Sequence, residues 1–377
     1  MEQGFLFKDV FNRQLIEGMA GRIKEVWPVF NKEDFVTNAS GPLAELELKQ
    51  RAAHISECLK KNLPARYPEA IKIILNSFDA ELQVAELKGF EGFYYMPFSI
   101  FVATQGLDHF DLSMNALYEI TKRFTSEDAI RSFLVKFPER TLAVLHQWAH
   151  DENVHVRRLV SEGTRPRLPW AQRLPAFQDD PGPVLELLEL LKQDPELYVR
   201  RSVANNLNDI AKDNPDLVIK TLEKWSQVKN PGIQWIIRHA SRTLVKQGDP
   251  RVLSLLGYNT RLKIEIENFK IEPRQIEFGG KIFISFEVIS SEKKAQKIIL
   301  DYIIHHVKAN GKTTPKVFKL SQKVISAGQK VSITKNHSFQ AITTRVYYPG
   351  EHCVEIQVNG NILASGSFIL LEKQTGH

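Results

Sequence analysis

From Leu15 to about Leu256, apolar residues recur at spacings of three and four, as in Ala70, Ile73 and Ile74, or Leu187, Leu188 and Leu191, with Pro or Gly at the breaks. That period predicts helices of about ten to fifteen residues joined by short turns. Past Tyr258 the period falls to two. Leu262-Ile264-Ile266, Ile282-Ile284-Phe286-Val288, Val331-Ile333 and Val354-Ile356-Val358 alternate with polar neighbours, and Gly279-Gly280, Asn310-Gly311 and Asn359-Gly360 separate the runs. Six or seven strands within about 115 residues predict an immunoglobulin-like sandwich, without the cysteine pair usual in such domains. Its closing hairpin is the most legible part: Cys353 to Val358 runs into Asn359-Gly360 and returns through Ile362 toward Leu370.

The helical region repeats. Asp151-Glu152-Asn153-Val154-His155-Val156-Arg157-Arg158-Leu159-Val160 returns as Asp194-Pro195-Glu196-Leu197-Tyr198-Val199-Arg200-Arg201-Ser202-Val203, and an eroded third copy begins at Asn230-Pro231-Gly232; the registers are 43 and 36 residues apart. This period fits α-solenoids of the HEAT or armadillo kind, whose units bury their apolar sides by stacking. The expected fold is therefore an all-α HEAT-like repeat solenoid over residues 1–258 followed by an all-β immunoglobulin-like sandwich over residues 259–377.

With Val156, Leu159 and Val160 facing the core, Arg158 and Glu162 share a stripe; Arg201, Asn205 and Asp209 do so on the next repeat, and Arg238, Arg242 and Lys246 on the third. Stacked repeats would set two carboxylates in a basic wall. As plain surface ion pairs these contacts would be worth only about 0.3–0.5 kcal/mol each. A wall that binds a polyanion gains nothing from acids in its middle, so an independent use must offset the repulsion. Carboxylates are what an oxocarbenium-like sugar needs for stabilisation, or a water for aim at the anomeric carbon.

The net charge of +6 is unevenly placed: from Thr260 onward there are 17 Lys+Arg against 10 Asp+Glu, which leaves 33 against 34 before it. Arg157, Arg158, Arg165, Arg167 and Arg173 lie within 17 residues that hold one acid, Glu162. Such clustering is the footprint of a phosphate-bearing partner. Trp170 closes the stiff loop Thr164-Arg165-Pro166-Arg167-Leu168-Pro169, where its indole either plugs a gap between repeats or offers a π-face to a base or a cation. Gly89 to Pro97 reads as a ring-packed helix corner without chemistry. Cys58 and Cys353 read as reduced buried thiols. No metal spacing, glycine-rich nucleotide loop or Gly-x-Ser-x-Gly elbow occurs, and no lysine stands out as a Schiff-base nucleophile. Lys8, Asp9 and Arg13 interrupt the apolar start, which argues against a signal peptide, and no stretch approaches a membrane span. A monomer in the cytoplasm, associated with the nucleoid and using no cofactor, is the expectation.

Asp151 to Trp170 (DENVHVRRLVSEGTRPRLPW), Tyr198 to Pro215 (YVRRSVANNLNDIAKDNP) and Trp235 to Pro250 (WIIRHASRTLVKQGDP) resemble the AlkC family of bacterial DNA glycosylases, relatives of AlkD built on HEAT-like repeats. The likeness spans roughly residues 1 to 258, and the appended domain looks like that of a subgroup of the family. The resemblance implies monofunctional hydrolysis of the N-glycosidic bond of cationic methylated bases, such as 3-methyladenine, 3-methylcytosine and 1-methyladenine, in double-stranded DNA and without full extrusion of the base. It implies catalytic positions at Glu162, Trp170 and Asp209, with Glu127 a less specific match. Arg157, Arg158, Arg165, Arg167, Arg201, Arg238, Arg242 and Lys246 are the candidate DNA contacts. The rival readings are a catalytically inactive DNA-binding protein and a HEAT-type protein-interaction scaffold, whose concave face would be apolar.

Overall fold

The computed structural model describes residues 6–84, 90–261 and 263–372. Its helices are α1 (Arg13–Val26), α2 (Lys32–Ser40), α3 (Leu48–Asn62), α4 (Tyr67–Asn76), α5 (Met96–Gln105), α6 (Phe110–Thr121), α7 (Ala129–Lys136) and α8 (Pro138–Trp148). There follow α9 (Val154–Gly163), α10 (Pro175–Asp179), α11 (Gly182–Leu191), α12 (Leu197–Ile210), α13 (Pro215–Ser226), α14 (Pro231–Ala240), α15 (Arg242–Gln247) and α16 (Pro250–Leu255). Two compact units emerge: the chain up to Val218 with Gln227–Ala240, and Ile219–Ser226 with the chain from Ser241 onward. No helix among the described residues is long and apolar enough to cross a membrane.

The repeated sequence has a local cause. Asp151 accepts the amide of Asn153 at 2.7 Å, Asp194 that of Glu196 at 2.9 Å and Asn230 that of Gly232 at 2.8 Å, so the same side-chain turn opens α9, α12 and α14. Six residues on, Arg157 donates to the carbonyls of Asp151 and Glu152, and Arg200 to those of Asp194 and Pro195. The first arginine of each pair thus closes the turn before its own helix. In the third copy Ile236 stands at that place, which is where the repeat has eroded. Val156, Leu159 and Val160, then Val199, Val203 and Leu207, then Ile233, Ile236 and Ile237 are the buried faces of the three helices, and α12 packs against both α9 and α14. Burial of each such side chain contributes about 1.5–3 kcal/mol, and without neighbouring repeats these faces would be wet.

The expected third stripe is broken. α14 stops at Ala240, Ser241 is buried between helices, and α15 starts afresh at Arg242, so Arg238 does not share a continuous helix with Arg242 and Lys246.

Past Leu262, which lies outside the described residues, the described residues form eight strands: β1 (Ile264–Glu272), β2 (Gln275–Ile276), β3 (Lys281–Ser290), β4 (Gln296–Val307), β5 (Thr313–Ile325), β6 (Lys330–Ser338), β7 (Gly350–Val358) and β8 (Asn361–Leu370). They build sheets of order β1-β3-β6 and β2-β8-β7-β4-β5, antiparallel except for β2 on β8. Ile282, Ile284, Phe286 and Val288 from one sheet share a core with Leu300, Tyr302, Ile304, Val354 and Ile356 from the other, as the alternating pattern requires. Asn359 and Gly360 turn the β7–β8 hairpin with φ of +42° and +83°, the mirror-image geometry that Asn-Gly tolerates. Edge strand β5 exposes Lys316, Lys319 and Lys323 and contains Pro315, features that discourage pairing with another sheet. Cys58 and Cys353 are free thiols, the second only half-buried.

Candidate active site

Six side chains of alternating charge run from one repeat to the next. Glu127 Oε2 accepts from Arg158 Nη1 at 2.6 Å, and Arg158 Nη2 lies 3.5 Å from Glu162 Oε1. Arg165 Nη1 donates to the same Glu162 oxygen at 2.6 Å, and Arg165 Nε and Nη2 reach Asp209 Oδ2 at 2.8 and 2.7 Å. Lys212 closes the chain on Asp209 Oδ1 at 2.8 Å. The second Glu162 oxygen accepts the hydroxyl of Ser202 at 2.6 Å. Glu162 from α9 and Asp209 from α12 therefore lie within the span of one guanidinium, and both are buried, at 6% and 2% exposure.

Burial by itself would raise the Glu162 carboxyl, but the neighbouring Arg158 and Arg165 charges and the hydrogen bonds from Ser202 and Arg165 hold it below the usual carboxylate range. Against the same burial, Glu127 and Glu162 keep Arg158 charged, and Glu162 and Asp209 do so for Arg165. Arg158 also lies over the Tyr198 ring, 5.2 Å from its centroid.

The loop after α9 is fixed from beneath. A Cβ on Gly163 would lie 2.6 Å from Ile130, so only glycine lets α9 end so close to α7; enlarging it would cost about 1–3 kcal/mol. Buried Arg131 donates to the carbonyls of Gly163, Arg165 and Gln172. Burial lowers its pKa to about 10, against the charges of Asp128 and Glu127. Leu168 to Ala171 is a turn closed by the Ala171 amide on the Leu168 carbonyl, with Pro169 second and Trp170 third at φ +63°. That third place is glycine's in a type II turn, and a tryptophan there costs of order 1–3 kcal/mol. The indole is 76% exposed, edge-on to Phe7 at 6.3 Å between centroids.

Trp170, Glu127, Asp128 and Lys49 share the wall of a cavity of about 420 Å³ with Phe93, Met96, Ile100 and Phe124. Phe93 belongs to the segment expected to be a corner without chemistry. It does pack rings, 5.2 Å from Phe124 and 5.1 Å from Phe7, and it walls the cavity too; Gly89, at the start of that segment, lies outside the described residues. No sequence signal joined Lys49 or Phe93 to Trp170, because each is more than 70 residues away.

The arginines divide. Arg157 forms a two-pronged pair with Asp194 at 2.6 and 3.2 Å and pins one repeat to the next. Arg165 is the link between the carboxylates, and Arg167 is held by Asp213. Arg201 and Arg238 are exposed; Arg242 and Lys246 belong to the second compact unit, where Lys246 is exposed. Among the described residues no group of three His, Cys, Asp or Glu side chains is set to hold a metal.

Residues 123–244 match the family model described as "DNA alkylation repair enzyme", and residues 265–372 match "Uncharacterised protein YhaZ, C-terminal Ig-like domain". The chain is 39% identical over 362 residues to "Uncharacterized protein YhaZ" of Bacillus subtilis (strain 168), an alignment that covers 96% of this chain and 98% of that protein. Among solved structures it is similar to the Pseudomonas fluorescens alkylpurine DNA glycosylase AlkC bound to DNA containing an abasic site analog, with 40% identity, a TM-score of 0.88, and coverage of 97% of this chain and 99% of that one. With likenesses that run the length of both units, the chain belongs to the AlkC family of HEAT-like repeat DNA glycosylases, in the group that carries a C-terminal immunoglobulin-like domain.

Proposed function

We propose that this protein is a monofunctional glycosylase that hydrolyses the N-glycosidic bond of cationic alkylated bases, 3-methyladenine, 3-methylcytosine and 1-methyladenine among them, in double-stranded DNA. The observation that carries the reading is the meeting of Glu162 and Asp209, from successive repeats, on one Arg165 guanidinium that belongs to the loop presenting Trp170. The AlkC relative, an alkylpurine glycosylase bound to DNA with an abasic site analog, supports it.

Methylation at a ring nitrogen gives the base a positive charge and makes it a good leaving group. As the C1′–N bond breaks, its electron pair neutralises the ring, so no general acid is required. Positive charge builds at C1′ instead, where the carboxylates stabilise it and one of them takes a proton from the attacking water. The Trp170 indole offers its π-face to the sugar or to the cationic base before cleavage, without full extrusion of the nucleotide. Arg201 and Arg238 on the first unit and Lys246 on the second are the exposed candidates for phosphates. Cytoplasmic action on the nucleoid follows from that substrate.

Release of free methylated base from alkylated duplex is the test. Wild-type protein releases it, and Asp209→Asn slows release by about 10²–10³ while still binding the duplex. Release by the variant at the wild-type rate removes the carboxylate from the mechanism.

A further inference from the structure

We infer that Lys49 is a positioning residue for Trp170, clamping the turn that presents the indole; this rests on the glycosylase reading above. Lys49 lies in the first turn of α3, where a helix N-terminus favours negative charge and a cation is misplaced on local grounds. Its reason lies across the cavity. Nζ donates to the main-chain carbonyl of Trp170 and also to Asp128 Oδ2 at 2.6 Å, at the start of α7. The ammonium thus ties α3, α7 and the Leu168–Ala171 turn together at one point.

The turn needs such a hold. Trp170 has the left-handed backbone of a glycine position, and its exposed side chain gains little from packing that would keep it there. Arg131 fixes the carbonyls of Gly163, Arg165 and Gln172 on either side, and the Trp170 carbonyl between them is held by Lys49. Residues 123–244, the span of the alkylation-repair family model, do not include Lys49, so the clamp comes from a part of the chain that the model leaves out. Its effect on the reaction is on orientation: a freed turn lets the indole sample poses that do not face the reacting sugar.

The test uses full-length Lys49→Met and Lys49→Arg, each also made with Trp170→Phe so that the Trp170 emission is obtained by difference. In Lys49→Met, acrylamide quenching of Trp170 increases, and single-turnover release of methylated base falls about tenfold or more, while Kd for a duplex with one abasic-site analogue stays within about threefold. Lys49→Arg restores most of both. Unchanged Trp170 quenching overturns the clamp. So does a Kd loss equal to the rate loss with a flatter salt dependence, which would make Lys49 a phosphate contact, or borohydride trapping of DNA on Lys49, which would make it a nucleophile. If the wild type releases no base the glycosylase reading fails, and the quenching comparison still decides whether Lys49 holds the turn.

Discussion

Glu162 and Asp209 share one counter-ion: Arg165 donates to Glu162 Oε1 at 2.6 Å and to Asp209 Oδ2 at 2.8 Å. Two buried carboxylates so close would repel one another, and the shared guanidinium between them offsets that repulsion.

Removal of that guanidinium should therefore act through proton affinity. In Arg165→Met, burial of Glu162 is opposed by Arg158 alone among the two arginines, so its carboxyl titrates at higher pH than in the wild type. The ionised form exists above the pKa, so the acid limb of the pH–rate profile moves upward, and activity is lost earlier as pH falls. An acid limb that stays in place, with only the plateau lowered, would show that Arg165 does not govern the ionisation of Glu162.

The two arginines of the repeated pair should separate by assay. Arg157→Ala leaves buried Asp194 without its partner and costs about 3 kcal/mol of stability, with no change in the salt slope of DNA binding. Arg201→Ala, at an exposed position, should instead reduce the slope of log K against log salt by about one. A flattened salt slope in Arg157→Ala would place that side chain on DNA after all.

The sandwich should be acid-sensitive. Burial and the neighbouring Arg345, His352, His337 and Lys308 hold His306 down to about 3, and burial with Arg345 and Lys335 holds His337 to about 4. His352, fully buried against Phe368, is lowered by burial as well. All three are neutral in both states above the unfolded value near 6.5. Below it the unfolded chain takes up protons that the folded domain refuses, so stability falls as pH drops from about 6.5 toward 4, by on the order of 1 kcal/mol per unit for each of His306 and His337, with His352 acting in the same direction. The sheet signal in circular dichroism, followed through heating at a series of pH values, gives the measurement. A melting temperature that is flat across this range would contradict it.

Much of this molecule is legible in its sequence where a local rule acts. Asp151, Asp194 and Asn230 each start a repeat through the same side-chain turn, and Asn359-Gly360 specifies its hairpin because both residues tolerate positive φ. The spacing of Arg158 and Glu162 on one helix, and of Arg201, Asn205 and Asp209 on the next, pointed to neighbouring stripes for the same reason. Distance along the chain hides the rest. Arg165 links the two acids from outside the helix that carries Glu162, and Lys49 reaches Trp170 across 121 residues. Within Arg157-Arg158, composition alone does not tell the arginine that closes a turn from its neighbour in the carboxylate chain. The helical spacing of Arg238, Arg242 and Lys246 continues in phase through the interruption at Ser241, so periodicity has nothing with which to detect it.

Trp170 has a consequence for how this chain evolves. A bulky aromatic held in a left-handed turn and left in water contributes little to folding, and glycine would suit the backbone better. Lineages selected for heat tolerance alone would drift toward glycine there, so an aromatic that persists at this place marks descendants still under selection for what the indole does.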